Sequence, residues 1–484
     1  MYPAITAVVV IAYFLVLLLV SHLTGRERTN DAFFRAGRRS PWFLVAFGMI
    51  GASVSGVSFV SVPGYVGATQ MTYLQMCIGF FFGYLVIAFL LLPLYYRHGL
   101  TTIYTYLQQR FGSASHKTGT SFFLISKLTG ACARFYLVCL ILQQFVFDSL
   151  GIPFLVTTLI MLLLVWLYTR GSGIRTLVYT DTLQTLCMLS ALVVTIVLIA
   201  DKMGLDLRGV YHTVAQSDYG RIFVFDDWAS KQNFWKQFLS GVFVAIVMTG
   251  LDQDMMQKNL TCKNIREAQK DMCTYGICFI PVNLLFLVLG VLLYTFASRQ
   301  GIAVPAQSDT LFPMLVQQGW FGMTVTVLFI LGITAAAFSS VDSALTALTT
   351  SVCIDLLDIE GKPSPRLSAE RRRQTVHILV VALFVVFTLI FKAVNSTSVI
   401  DAIYIMASYT YGPLLGLFAF GMFTRRQPRD RWIPPVAVAS PLLCYALNLS
   451  VARATGYHFG YELLMLNGLL TFAGLWALSL GHSK

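Results

Sequence analysis

Charge is scarce in this sequence. Only 12% of its 484 residues are Asp, Glu, Lys or Arg, while 57% are hydrophobic, against roughly 25% charged residues in a typical soluble domain. Other absences narrow the function classes. The nine cysteines form no CxxC pair and lie in apolar runs or near their ends, so they indicate neither a disulfide framework nor a zinc site and read as small apolar fillers. The seven histidines (His22, His98, His116, His212, His377, His458, His482) form no HxxxH or HExxH pair, and there is no Walker loop, which argues against a metal-dependent membrane enzyme and against ATP as the energy source. The net charge of +12 is not gathered on one soluble face, as nucleic-acid binding requires.

What is present is a series of apolar runs, each long enough to cross a hydrocarbon core of roughly 30 Å as a helix. Thirteen transmembrane helices are predicted: 4–23, 42–66, 73–96, 121–147, 154–168, 180–199, 238–258, 272–296, 320–357, 375–391, 399–423, 433–451 and 462–480. Membrane strands would need shorter, alternating runs, which are absent. The first run carries its charge behind it (Arg26, Arg28) rather than in front, and is expected to be a retained helix, not a signal peptide.

Basic residues set the orientation, because cytoplasmic loops are enriched in Lys and Arg. With the N-terminus outside and the C-terminus cytoplasmic, 24 of the 34 lysines and arginines fall inside, 8 outside and 2 within a helix. The basic inner segments are 26–39, 258–270, 366–373 and 425–431; the longest outer loop, 202–236, mixes both signs. The expectation is a multi-pass protein of the cell (inner) membrane, embedded in lipid, with no nucleic-acid partner and no evident protein partner.

Two spans are rich in glycine and hydroxyl residues where a membrane helix normally avoids them. Residues 48–64 read GMIGASVSGVSFVSVPG, and 248–254 read MTGLDQD. With the first run set aside, these are the first and sixth of ten core helices, the places where a five-plus-five inverted repeat puts its broken pair around a midplane site. The organisation expected is an extra helix and cytoplasmic loop (1–41), a first five-helix repeat (42–199), an outer loop (200–237), a second repeat (238–423) and two terminal helices (424–484). Close packing of small residues is the other reading of either segment alone.

A third segment, 335–343 (AAAFSSVDS), puts Ala336, Ser339, Ser340 and Ser343 on one helix face with Asp342 beside them. Sodium is a hard cation that takes oxygen ligands. Hydroxyls of Ser339 and Ser340 with carbonyls of Gly51 and Val54 from an opened helix could hold it. Serines in membrane helices also bond to their own backbone. An intramembrane carboxylate such as Asp342 is costly enough that a functional role is the default.

Several ordered motifs together resemble the sodium/solute symporter family: 34–41 (FRAGRRSP), 55–63, 100–111 (LTTIYTYLQQRF), 168–173 (YTRGSG) leading to 180–184 (TDTLQ), 252–258 and 335–343. The resemblance implies a LeuT-like inverted-repeat core with one helix before it and two after. It also implies a main sodium site from the carbonyls of Gly51, Val54 and Ala336 and the hydroxyls of Ser339 and Ser340. In the sialic acid branch a second sodium site corresponds to Asp181, Ser339, Asp342 and Ser343. Asp342 departs from that branch's serine, so two acids there could strengthen a cation site or share a proton.

Residues expected near the solute pocket are Ser55, Gly56, Ser58, Tyr73, Gln75, Cys77 and Gln253. Arg134 is the sharper clue, since a guanidinium within a helix needs an anion or a wet cavity; it either binds a solute carboxylate, pairs with Asp148 or Asp181, or snorkels. The sialic acid branch has its arginine about one turn earlier, at Gly130 here, and a glutamine at Cys77. Lys127 is expected to be structural. The Phe80–Phe82 run could stack on a sugar ring or face lipid. The predicted function is sodium-coupled symport of a small organic solute, sialic acid or another organic acid, with a neutral-sugar symporter and a uniporter or channel as alternatives.

Overall fold

The structure, a computed structural model, describes residues 3–24, 29–170, 173–361, 368–394 and 399–480. Arg26, Arg28 and Arg366, and Gly171 and Ser172 of the 168–173 motif, lie outside the described residues. Every regular element among the described residues is helical; one isolated backbone bridge joins Ser40 to Cys262.

Nine of these helices are long and apolar enough to cross a membrane, and three bent helix pairs raise the number to twelve. The apolar helix Phe154–Thr169 has 16 residues and is about 24 Å long at 1.5 Å per residue. Length and composition therefore support up to twelve spans, and the thirteenth expected one rests on this short helix alone.

The helices differ in how deeply they sit. Gly322–Leu356 has 78% of its most apolar window buried, whereas Thr6–Thr24 has 22% and Asp430–Thr455 has 17%. The first helix and the last but one thus lie at the periphery, and the serine-bearing helix Gly322–Ser351 at the centre. Several helices run past their expected apolar ends, as in Ser113–Leu142 and Ile265–Arg299, because polar turns continue the helix outside the hydrocarbon region. The outer loop holds a short helix, Leu207–Gln216, capped by Asp206, whose carboxylate accepts from Gly209 N at 2.7 Å.

The expected span 42–66 is two helices, Trp42–Ser53 and Gly56–Thr69, bent by 55°. The break falls at Val54 (φ −79°, ψ 80°) and Ser55 (φ −77°, ψ 176°). Pro63 does not cause it and sits inside the second helix. The span expected at 238–258 runs as Phe234–Gly250 and Gln253–Asn259, bent by 69°. Before that break the chain loosens by one residue per turn, with Leu251 N bonded to Ile246 O at 3.0 Å. The expected span 399–423 is also bent, by 45°, between Val399–Thr410 and Gly412–Phe423. Pro413 at the start of the second piece cannot extend the first, and a side chain at Gly412 would meet the Asn467 amide at 2.3 Å.

Close approach explains the glycines at the first break. A Cβ on Gly51 would lie 2.0 Å from Thr185 Oγ1 and 3.3 Å from Thr185 Cα, so the broken helix presses on Ile174–Lys202 backbone to backbone. Gly51→Ala should therefore lower stability by about 1–3 kcal/mol through overpacking. Thermal unfolding in detergent checks this, and an unchanged midpoint would show that the two helices do not approach so closely.

Candidate functional site

Opening a helix frees backbone groups. The first broken helix ends at Ser53, so its last carbonyls have no partner one turn on. Helix Gly322–Ser351 meets that end: Ser340 Oγ lies 3.3 Å from Ala52 O and 3.1 Å from Ala336 O, while Ser339 Oγ donates to Asp181 Oδ1 at 2.8 Å. Thr185, the residue against Gly51, bonds back to the Asp181 carbonyl at 2.7 Å. Gly51, Ala336, Ser339, Ser340 and Asp181 thus converge where three helices meet. The carbonyl that faces Ser340 is that of Ala52, between the expected Gly51 and Val54. The oxygen-rich composition suits a hard monovalent cation.

At the second break the freed groups are N–H donors, and Asp252 caps them, accepting from Asp254 N at 2.9 Å and Met255 N at 3.4 Å. A buried carboxylate needs a counter-charge, which comes from the neighbouring helix Ser113–Leu142: Lys127 Nζ lies 3.3 Å from Asp252 and 2.6 Å from Asp254. Tyr411, at the third bend, donates to Asp252 Oδ2 at 2.5 Å. The short helix Gln253–Asn259 carries a second buried cation, and Lys258 Nζ sits 2.7 Å from Asp181 Oδ2. Asp342 receives Tyr168 Oη at 2.7 Å and Ser343 Oγ at 3.2 Å.

Between the two breaks lies a partly open cavity lined by Ser55, Ser58, Tyr73, Lys127, Arg134 and Asp252 together with a set of tyrosines. Tyr73 on one wall and Tyr404 on another touch through their hydroxyls at 2.8 Å. Arg134 is half-buried on this wall, and none of the ion pairs among the described residues includes it. Its two expected structural partners are otherwise engaged: Asp181 by Lys258, and Asp148 by Gln143 Nε2 at 2.6 Å.

Four of the expected pocket residues do not line this cavity. Gln75 faces the outer loop, donating to Gln232 O at 2.9 Å and accepting from Val224 N at 3.0 Å. Cys77 is fully buried in packing. Gly56 is pressed against Val138 and Ile333. Gln253 points from the short helix to the 101–103 loop, accepting from Ile103 N at 3.0 Å and donating to Thr101 O at 3.1 Å. All four sit on helices that are buried on more than one side, so sequence position did not reveal which side faces the hollow. Conversely, Asp252, Tyr404 and Tyr411 line the cavity without having been singled out for it. The mid-span carboxylate at Asp252 was a usable signal; the tyrosines, in an aromatic-rich chain, were not.

Two broken membrane helices, an oxygen-rich junction beside the first and a cavity between the breaks are the architecture of an inverted-repeat carrier. A profile of the sodium:solute symporter family matches residues 33–430, and the chain belongs to that family, whose members are transporters and not enzymes. It is similar to the sodium/sialic acid symporter SiaT of Proteus mirabilis (strain HI4320), 24% identical with 86% of this chain and 84% of that one covered. A second relative, the sodium/sialic acid symporter NanT of Aliivibrio fischeri (strain ATCC 700601 / ES114), is 24% identical over 90% of this chain and 85% of its own. The fold matches that of a Na+-coupled sialic acid symporter solved in a substrate-bound outward-open state, with TM-score 0.84 and 20% identity over 100% of this chain and 99% of that one. The coupling ion of the family is sodium, the solute is a small molecule, and the chain is a multi-pass membrane protein.

Lys127 holds two buried carboxylates at the second break, so Lys127→Met should destabilise the fold by about 3–5 kcal/mol. Adding Asp254→Asn to that variant should recover part of the loss in thermal unfolding. No recovery would mean that the lysine is not their counter-charge.

Proposed function

We propose that this chain imports a small organic solute bearing a carboxylate, sialic acid or another organic acid, together with sodium by alternating access. The observation that carries the anionic solute is Arg134: a guanidinium on the cavity wall that, among the described residues, has no carboxylate of its own attracts one from the ligand. Ser55, Ser58 and Tyr73 supply neutral hydrogen-bonding groups around it. The sialic acid relatives support the same solute class.

Sodium binds at the junction of the first break and the serine helix, with Gly51, Val54, Ala336, Ser339 and Ser340 as ligands. Ser340 Oγ, set between two carbonyl oxygens, supports that reading, because a cation that takes a lone pair of the hydroxyl, its proton turned aside, finds three oxygens already close together. Each sodium entering down about 100 mV releases ~2.3 kcal/mol from voltage alone, worth roughly fifty-fold in accumulation. The two repeats, 42–199 and 238–423, move against each other around this centre. The N-terminus lies outside and the C-terminus in the cytoplasm, as the basic loops direct, and the membrane is the inner one.

Ser340→Ala should raise the sodium concentration for half-maximal uptake in proteoliposomes by about tenfold, the equivalent of about 1.4 kcal/mol; unchanged sodium dependence would reject it as a ligand. In a thermal-shift screen of sialic acids, monocarboxylates, amino acids and neutral sugars with and without sodium, an acid should raise the melting point. Arg134→Ala should abolish that shift. If it persists, or if a neutral sugar gives the shift, the solute is not held by this guanidinium.

A further inference from the structure

The side chains expected to form a second cation site, Asp181, Ser339, Asp342 and Ser343, do come together, but a cation of the protein's own stands among them. Lys258 Nζ is 2.7 Å from Asp181 Oδ2, and the other oxygen of that carboxylate accepts from Ser339. Both partners are buried, Asp181 at 0% and Lys258 at 2% exposure. Among the described residues the ammonium has no hydrogen-bond acceptor in good geometry beyond this ion contact. Asp254 and Asp342 add their charge to its surroundings. It is therefore held as a bare ion would be, by surrounding negative charge. A primary ammonium and a hydrated alkali cation carry the same charge, and both prefer carboxylate and hydroxyl oxygen.

We propose that the Lys258 ammonium is a tethered replacement for a second coupling ion, so that this transporter carries one sodium per solute. The inference rests on the sodium reading above and adds the ion count. The physical reason is exclusion: with Lys258 in place, a sodium at Asp181 would have to push a buried lysine off its carboxylate partner, whereas among the described residues no cationic side chain is bonded to the Ser340 junction. Lys258 arrives there because the second break turns Gln253–Asn259 by 69°, carrying its last turn toward Ile174–Lys202.

Equilibrium binding of sodium-22 to the purified full chain in detergent tests the count. One saturable sodium per protomer is expected. Two per protomer would overturn the inference and leave sodium symport standing; none would remove the sodium reading and this inference with it. Lys258→Gln should gain a second, weaker sodium, and Lys258→Arg, which keeps the charge, should still bind one. A folded Lys258→Gln protein that still binds a single sodium would also overturn it. Should the glutamine variant fail to fold, the wild-type count and the arginine variant decide.

Discussion

Everything in this molecule follows from the cost of leaving a backbone group unpaired in a membrane interior. A continuous helix avoids that cost, and this chain forgoes the protection twice, at Val54–Ser55 and at Leu251–Asp252. The freed carbonyls of the first opening require something electropositive, and the freed N–H groups of the second require something electronegative. Ser340 answers one and Asp252 the other. Once a carboxylate is used as a cap, a lysine must be supplied for it, and Lys127 comes from a helix that also carries Arg134 into the same cavity. The charged lining is thus a consequence of broken backbone as much as of ligand chemistry.

Two clusters of buried charge stand near the breaks. One, Asp252–Asp254–Lys127, reaches the cavity through Asp252 and Lys127 and is bonded to Tyr411. The other, Asp181–Lys258, sits under the serine helix beside Asp342. The short helix Gln253–Asn259 links them, since Asp254 and Lys258 are one turn apart and reach opposite clusters. The two clusters therefore stand a single helical turn apart on one rigid element.

Much of this was legible in the sequence. Membrane class, the two openings and the Ser339–Ser340–Asp342 face follow from local composition, because glycine, serine and aspartate clustered inside an apolar run are costly in lipid unless a packed or opened helix uses them. Rotational placement was less legible. Gln75, Cys77 and Gln253 lie on helices with protein on several sides, where hydrophobic periodicity carries no information about which side faces a hollow. The Asp181–Lys258 pairing depends on a 69° turn of the chain, and no spacing rule anticipates a contact made across such a turn. The bend at Tyr411 was hidden for a different reason, since Gly412 and Pro413 are common enough in membrane helices to pass as ordinary.

Polar bonds are spread unequally around the cavity. On its lining Tyr73 and Tyr404 meet through their hydroxyls, an interaction worth about 0.5–1.5 kcal/mol. Away from the cavity lining the chain is stitched by amide and carboxylate bonds: Gln253 to the 101–103 loop, Gln257 to Phe34 O and Thr350, and Asp355 to both Thr102 and His116. Parting two phenols is within reach of thermal agitation, while freeing the 101–103 loop means releasing several buried polar bonds together. The wall of the hollow thus holds a yielding link, while the short helix after the second break is riveted to its surroundings.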